Sequence, residues 1–453
     1  MSVASRRIVD HALALEWHAL PSSAQAAARN FLHDSIAVGV AGRHAALADE
    51  AFGTARLWSG EGGSGFVLAR PGERLTTPHA AFVNAYQIHA QEYDCVHEPA
   101  VAHPMASVLA VLLAEAARAP AHGTDLLAGM VAGVDVVATL GVAAKSPLKF
   151  FRPATAGIFG SIAAVCRMRR LPTDVACDAM GYGLAFASGT MQAHVEGKPT
   201  LAVQVAAAAR SAIEAVDLAR AGFSGPQGSI DGPFGYLSLF EDEVDLEPVL
   251  AELGTRHRVE ELSWKPFPTG RAAHGAIVAL RRLIAQHGFA ADDVAGFTYR
   301  APPLIHRLVG RRPYAGMSIA YARLCFAWLA AVVLTRGSVD LADFTPERLA
   351  DPALLALAER IVVEVDDNPD PAAFVPALGT VSLHDGRVLS EAVSRQFGSP
   401  EWPLTREEHL AKVRRCLEFG GLPQAHDRLV ALIERFDTLD DAATALVAVL
   451  EEA

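Results

Sequence analysis

Cysteine is scarce and scattered in this 453-residue chain: Cys95, Cys166, Cys177, Cys325 and Cys416 are odd in number, lie far apart and include no CxxC pair. That pattern argues against a disulfide framework and a thiolate zinc site, and it fits a reducing cytoplasm. Basic residues are in deficit too, with 39 Lys and Arg against 51 Asp and Glu, a net charge of −12 and no basic tail. Phosphate backbones are bound by clustered cations, so nucleic acid is not an expected partner. An anion site in such a chain must be a local gathering of Lys, Arg and His. The two most apolar stretches, 126–144 and 318–335, carry Asp135 and Arg323. A charge in mid-span is costly in lipid, so both read as buried helices and no membrane partner is expected. The opening residues are interrupted by Asp10, His11 and Glu16 and do not read as an export signal.

What is present is Ala, Leu and Gly. A hydrophobic fraction of 51% can fill two cores, and the length favours two domains. From about residue 5 to 260 the chain reads as successive helices. One ends on Gly42 and another is opened by Thr124 as N-cap. Past Trp264 the texture changes: VAGFTYRA, RIVVEVDD and TVSLHDGRVLSEAV have the β-branched residues or alternation of strands, with Asp385-Gly386 placed as a hairpin turn. Between them SIAYARLCFAWLAAVVLTRG reads as one helix stopping at Gly337. Thr405 ahead of Glu407 and Glu408 signals a further helix. The predicted fold is mostly α, with an all-helical domain over 1–263 and 403–453 and an α+β domain over 264–402.

Three segments carry chemistry. The first, NAYQIHAQEYDCVHEPAVAHP, packs His89, Glu92, Tyr93, Asp94, His97, Glu98 and His103 together. If helical, it would put His89, Tyr93 and His97 on one face. Its composition suits an active-site wall, a solvated polar loop or a His/Glu/Asp metal site, although no HExxH helix is present. The second, SWKPFPTGRAAHG, gathers Lys265, Arg271 and His274 at the change of texture, where a linker or a carboxylate site are both in keeping. In the third, Lys145, Lys149 and Arg152 precede a Gly-containing helix; they cap the preceding helix or, with that helix's N-terminus, bind an anion.

In this order the segments resemble the MmgE/PrpD family, which includes 2-methylcitrate dehydratases, cis-aconitate decarboxylases and iminodisuccinate epimerases. HAQEYDCVHEPAVAHP is similar to that family's HALDFDDTH…HPS motif, and FRPATAGIFGS to its HPT…GxFGA. SGTM, GFSGP, WKPFP, ARLCFAWLAAVVLTRG and PLTREEHLAKVRRC match further elements in sequence. The resemblance implies a helical domain built from both chain ends, an inserted α+β domain, a cleft between them and a homodimer. It also implies proton transfer next to a carboxylate of a small polycarboxylate, with no metal and no organic cofactor. On this basis His103 is the acid/base, Lys265 stabilises charge and Asp94 completes the catalytic group. Glu92, Tyr93, His97, Arg152, Thr155, Lys198, Arg271 and His274 are the expected substrate-binding residues.

The departures from the family pattern are specific. Where it has DFDDT this chain has Glu92-Tyr93-Asp94-Cys95-Val96, and where it has His before the Pro-containing turn this chain has Arg152, which is no base at neutral pH. In the KxxHxG element Leu201 stands at the Lys, Gln204 at the His and Ala206 at the Gly, with Lys198 three residues earlier. A divergent lyase or isomerase is therefore expected, dehydratase first, epimerase second and decarboxylase third. The rival from another class is a non-catalytic ligand-binding or scaffold protein on the same fold.

Overall fold

The computed structural model describes residues 3–451 apart from 371. It is mostly helical. The helices Ser22–Ala41, Thr77–His89, Pro104–Arg118, Gly123–Ala143, Gly157–Met168 and Thr200–Arg220 pack face to face and bury an Ala- and Leu-rich core. Small side chains let these helices approach closely: a Cβ on Gly133 would lie 2.8 Å from the Gly160 carbonyl of the neighbouring helix. The helix Gly123–Ala143 is long and apolar enough to cross a membrane, yet 94% of its apolar window is buried by protein. Its Asp135 sits inside, bonded to His11 at 3.0 Å and to the Arg258 amide at 2.7 Å.

The strands run as the alternation predicts. Val294–Ala301 pairs in parallel with Ile361–Val365 and antiparallel with Ala377–Leu383, and the last pairs with Val388–Val393. The expected hairpin closes at Asp385 and Gly386, where φ of +90° favours glycine. Helices His274–His287 and Phe326–Arg336 cover the sheet and form a second cluster of buried apolar residues, most of them between 267 and 393. Thr405 caps the helix Arg406–Phe419 through a capping box with Glu408, and this helix packs on Ser22–Ala41 near the chain's beginning.

Two expectations fail on inspection of the backbone. The stretch from 318 to 337 is two helices, Ile319–Ala322 and Phe326–Arg336, because Cys325 takes an extended conformation and bridges to Gly310. The helix carrying His89 ends there, so Tyr93 and His97 share no helical face with it; residues 90–103 run as loop and a short strand.

That loop rests on an ion pair. Lys412 lies 2.8 Å from Asp34, both almost wholly buried, donates to the Tyr93 carbonyl at 2.9 Å and sits 4.2 Å above the Tyr93 ring. Breaking a buried pair strands a charge, so Lys412→Met is expected to cost about 3–5 kcal/mol of stability in chemical denaturation. The double change Asp34→Leu with Lys412→Met should recover most of it, and an unaltered midpoint for the single variant would show that the pair anchors nothing.

Candidate active site

Two short strands, Val96–His97 and Leu262–Ser263, pair antiparallel and place the polar loop beside the segment holding Lys265 and Arg271. Glu98 clamps the junction, accepting from Ser263 Oγ at 2.6 Å and from Arg271 Nε at 2.8 Å. The third segment is tied in by backbone bonds, Phe151 N to Gly189 O at 3.1 Å and Met191 N to Lys149 O at 3.2 Å. All three segments singled out in the sequence therefore meet, around a pocket of about 540 Å³ including its open mouth.

At its base one carboxylate oxygen serves two imidazoles. Asp94 Oδ2 lies 3.0 Å from His89 Nδ1 and 3.1 Å from His103 Nδ1, and the two rings meet edge to face. Burial works to raise the Asp94 carboxyl, but His103 and His89 outweigh it and hold it well below the carboxylate range. An ionised carboxylate only accepts, so both Nδ1 atoms carry protons. For His103, burial and the nearby Lys265 ammonium depress the pKa below 6.5 despite Asp94, which leaves a neutral ring with a bare Nε2 on the pocket wall. His89 goes the other way: burial opposes its charge, yet Asp94 and then Glu92 raise it.

Glu92 is on the pocket wall as well, in the left-handed backbone region at φ +49°. A non-glycine residue there stores strain that the surroundings must impose. Lys265 Nζ holds its side chain, 2.7 Å from Glu92 Oε2 and 3.9 Å from Asp94. Burial opposes ionisation of Glu92, but Lys265 and the two histidines bring its pKa down to about 2. Lys265, expected to stabilise charge, is fully buried behind Glu92 and does not line the pocket.

Other expected residues are displaced by identifiable bonds. Arg152 does line the pocket, but its guanidinium grips Glu241 through Nε and Nη2, each at 2.9 Å, so it is not a free carboxylate partner. Arg271 also lines it, paired with Glu98. Tyr93 points to the Pro266 carbonyl and Lys412, away from the pocket. His97 accepts from the Ala100 amide on Nδ1 and so donates Nε2–H to Glu261 at 2.8 Å, a structural tie. Thr155 bonds Tyr236 in the core. His274 is buried and held neutral, accepting from Arg271 on Nδ1 and facing the Thr269 carbonyl. Lys198 is exposed at a second cavity of about 420 Å³, which shares Glu92 with the first and also touches Leu201 and Arg323. Gln204, where the family motif has His, accepts from the Thr190 amide at 2.7 Å.

Sequence reasoning gave no role to His89, His194, Arg311 or Arg323. The last two cations have no carboxylate within 4.0 Å among the described residues: Arg323 is bonded to the Gln91 side chain and to the Gln91 and Pro268 carbonyls, and Arg311 to His194. Burial brings the Arg323 pKa down to about 9, still protonated at neutral pH. The surroundings of the pocket thus hold a local positive excess inside an acidic molecule. His89, Asp94 and His103 also place three donor atoms within 4.8 Å of one another, close enough to serve one metal ion. Here the same atoms satisfy each other as N–H to carboxylate bonds.

Family models and curated relatives match most of the chain. Residues 6–249 match the MmgE/PrpD N-terminal domain and residues 267–437 the MmgE/PrpD C-terminal domain. The chain is 25% identical to the cis-aconitate decarboxylase of Mus musculus over 433 residues, 92% of this chain and 87% of that protein. It is 25% identical to the human cis-aconitate decarboxylase, covering 84% and 81% of the two chains. It is also 25% identical to the cis-aconitate decarboxylase-like protein oryM of Aspergillus oryzae, over 87% and 86%. With both domain models matched in order across most of its length, the chain belongs to the MmgE/PrpD family.

Proposed function

We propose that this protein is a cofactor-independent lyase acting on a small di- or tricarboxylate by proton transfer next to a carboxylate, with His103 as the acid/base. The observation that carries the reading is the His103–Asp94 pair, whose geometry fixes the Nδ1–H tautomer and leaves a neutral Nε2 at the pocket. Such a ring takes the α proton from the substrate, and Asp94 stabilises the imidazolium that forms. The negative charge left on the substrate spreads into its carboxylate, where surrounding cations favour it. The imidazolium then returns its proton. Delivered to a departing hydroxyl it completes a dehydration; in a decarboxylation no α proton is removed, CO2 leaves from a substrate carboxylate, and His103, protonated from solvent, delivers its proton to the carbanion left behind.

The family membership supports the polycarboxylate class, and the names of the relatives support the lyase branch. Epimerisation is the second reading, favoured by Glu92, a second ionised group on the same pocket that would serve as a base from another direction. Non-catalytic ligand binding is the outcome if no proton moves.

Incubation with candidate acids in heavy water, followed by NMR, is expected to show α-proton exchange or product for at least one of them. His103→Ala should lower that rate by about 10²- to 10⁴-fold with the fold retained; near-normal turnover would remove His103 from the role. The acid limb of kcat/KM should lie below pH 6.5, the ordinary histidine value, since burial and Lys265 depress His103. Removing that cation with Lys265→Gln should shift the limb to higher pH, and a limb that stays put or moves down contradicts the assignment. Protein dialysed against a chelator should keep full turnover, and loss restored by a divalent ion would place a metal at His89, Asp94 and His103.

A further inference from the structure

His194 lies on the short helix Gln192–Glu196, which Gly197 closes at φ +62°, its amide donating to the His194 carbonyl at 3.1 Å. The ring reaches the same pocket as His103 and Glu92. Arg311 holds the residue from behind, with Nη2 donating to the His194 carbonyl at 2.8 Å and to Nδ1 at 3.2 Å. An arginine offers no lone pair, so His194 Nδ1 must accept and the ring proton must sit on Nε2. Burial, and then the Arg311 charge, bring the His194 pKa down to about 4, so the ring is neutral at neutral pH. Its Nε2–H makes no hydrogen bond among the described residues, although the residue is 4% exposed. Arg311 in turn has no carboxylate partner among the described residues, and its Nη1 is buried without a bond.

Arg311 is only part-buried and stacks 4.7 Å from the Tyr321 ring centroid, while the Nε2–H of His194 opens to the pocket as a donor with no protein acceptor among the described residues. One anionic oxygen at the pocket end of the imidazole would accept from Nε2–H and lie in the field of Arg311. We propose that His194 is a substrate-binding residue that donates Nε2–H to a carboxylate of the substrate, with Arg311 as the positioning residue that fixes its tautomer and orientation. The inference rests on the polycarboxylate reading above and adds a residue to it. Where the family motif places a cation at position 201 this chain has Leu201. Here the anion is met by a neutral donor backed by a cation.

The test uses the full chain with 15N-labelled histidine and tricarballylate, an unreactive tricarboxylate, as probe. In the free protein the His194 signal should report the Nε2–H tautomer between pH 6 and 8, and tricarballylate should move that proton's shift. His194→Phe should weaken tricarballylate binding by about ten- to a hundredfold at unchanged Tm, while His194→Gln, which keeps an N–H donor, should recover part of it. Arg311→Met should yield a mixture of tautomers. An Nδ1–H tautomer in the wild type, or binding by His194→Phe within twofold of wild type, overturns the assignment and leaves the role of His103 untouched. A wild type that neither binds tricarballylate nor exchanges any α proton removes the functional reading and this proposal together.

Discussion

The site depends on one buried carboxylate. Asp94 has no solvent exposure, and a single oxygen of it orients both His89 and His103. A lone charge at that depth is untenable unless its surroundings compensate it. The compensation is distributed: His89 and His103 donate Nδ1–H to it, Lys265 stands 3.9 Å away, and Glu92 balances Lys265. Each of these groups is held by the next, so a change at one alters the charge felt by the others. The strand pair between 96–97 and 262–263 brings the segment bearing Lys265 beside this cluster.

The charge layout explains how the chain tolerates its departures from the family pattern. Replacing a titratable His by a permanent cation at Arg152 would alter the field of the pocket, but Glu241 neutralises it in a two-bonded pair with both side chains 4% exposed. The Lys missing at Leu201 has no equivalent on the main pocket, since Lys198 is exposed and lines the neighbouring cavity with Leu201 and Glu92. Positive excess resides instead with Arg311 and Arg323, whose partners are neutral acceptors. Through a low-dielectric wall such charges act over longer distances than surface ones, and they would favour entry of an anion into a molecule that is acidic overall.

Much of the fold was legible in the sequence because local rules agree with the global result. The strand Val294–Ala301, the turn at Asp385 and Gly386 and the Thr405 capping box all appear where alternation, turn chemistry and capping place them. The convergence of three polar segments was legible only through resemblance, since spacing along a chain says nothing about pairing across 160 residues. Individual roles were the least legible. Lys265 and Arg152 are present as expected, but their partners Glu92 and Glu241 lie 173 and 89 residues away, and only those partners decide whether a cation is free. His194 gave no signal, because MQAHVEGKP is unremarkable until Arg311 arrives from the other side of the chain. The single-helix reading of 318–337 failed for a related reason: apolar periodicity persists through a break whose cause is a tertiary bridge.

Lys412 gives the arrangement a temporal side. The loop bearing Glu92 and Asp94 rests on a lysine contributed by the last tenth of the chain, and the partner of that lysine, Asp34, comes from near its beginning. During synthesis the helices up to residue 220 leave the ribosome before Lys412, and until it follows the Asp34 carboxyl lacks its partner cation. Only when the final helices dock is that charge met and the Tyr93 carbonyl secured. A chain that ends before Lys412 contains every pocket-lining residue and still lacks both the ion pair and the bond to the Tyr93 carbonyl that support the loop bearing Glu92 and Asp94.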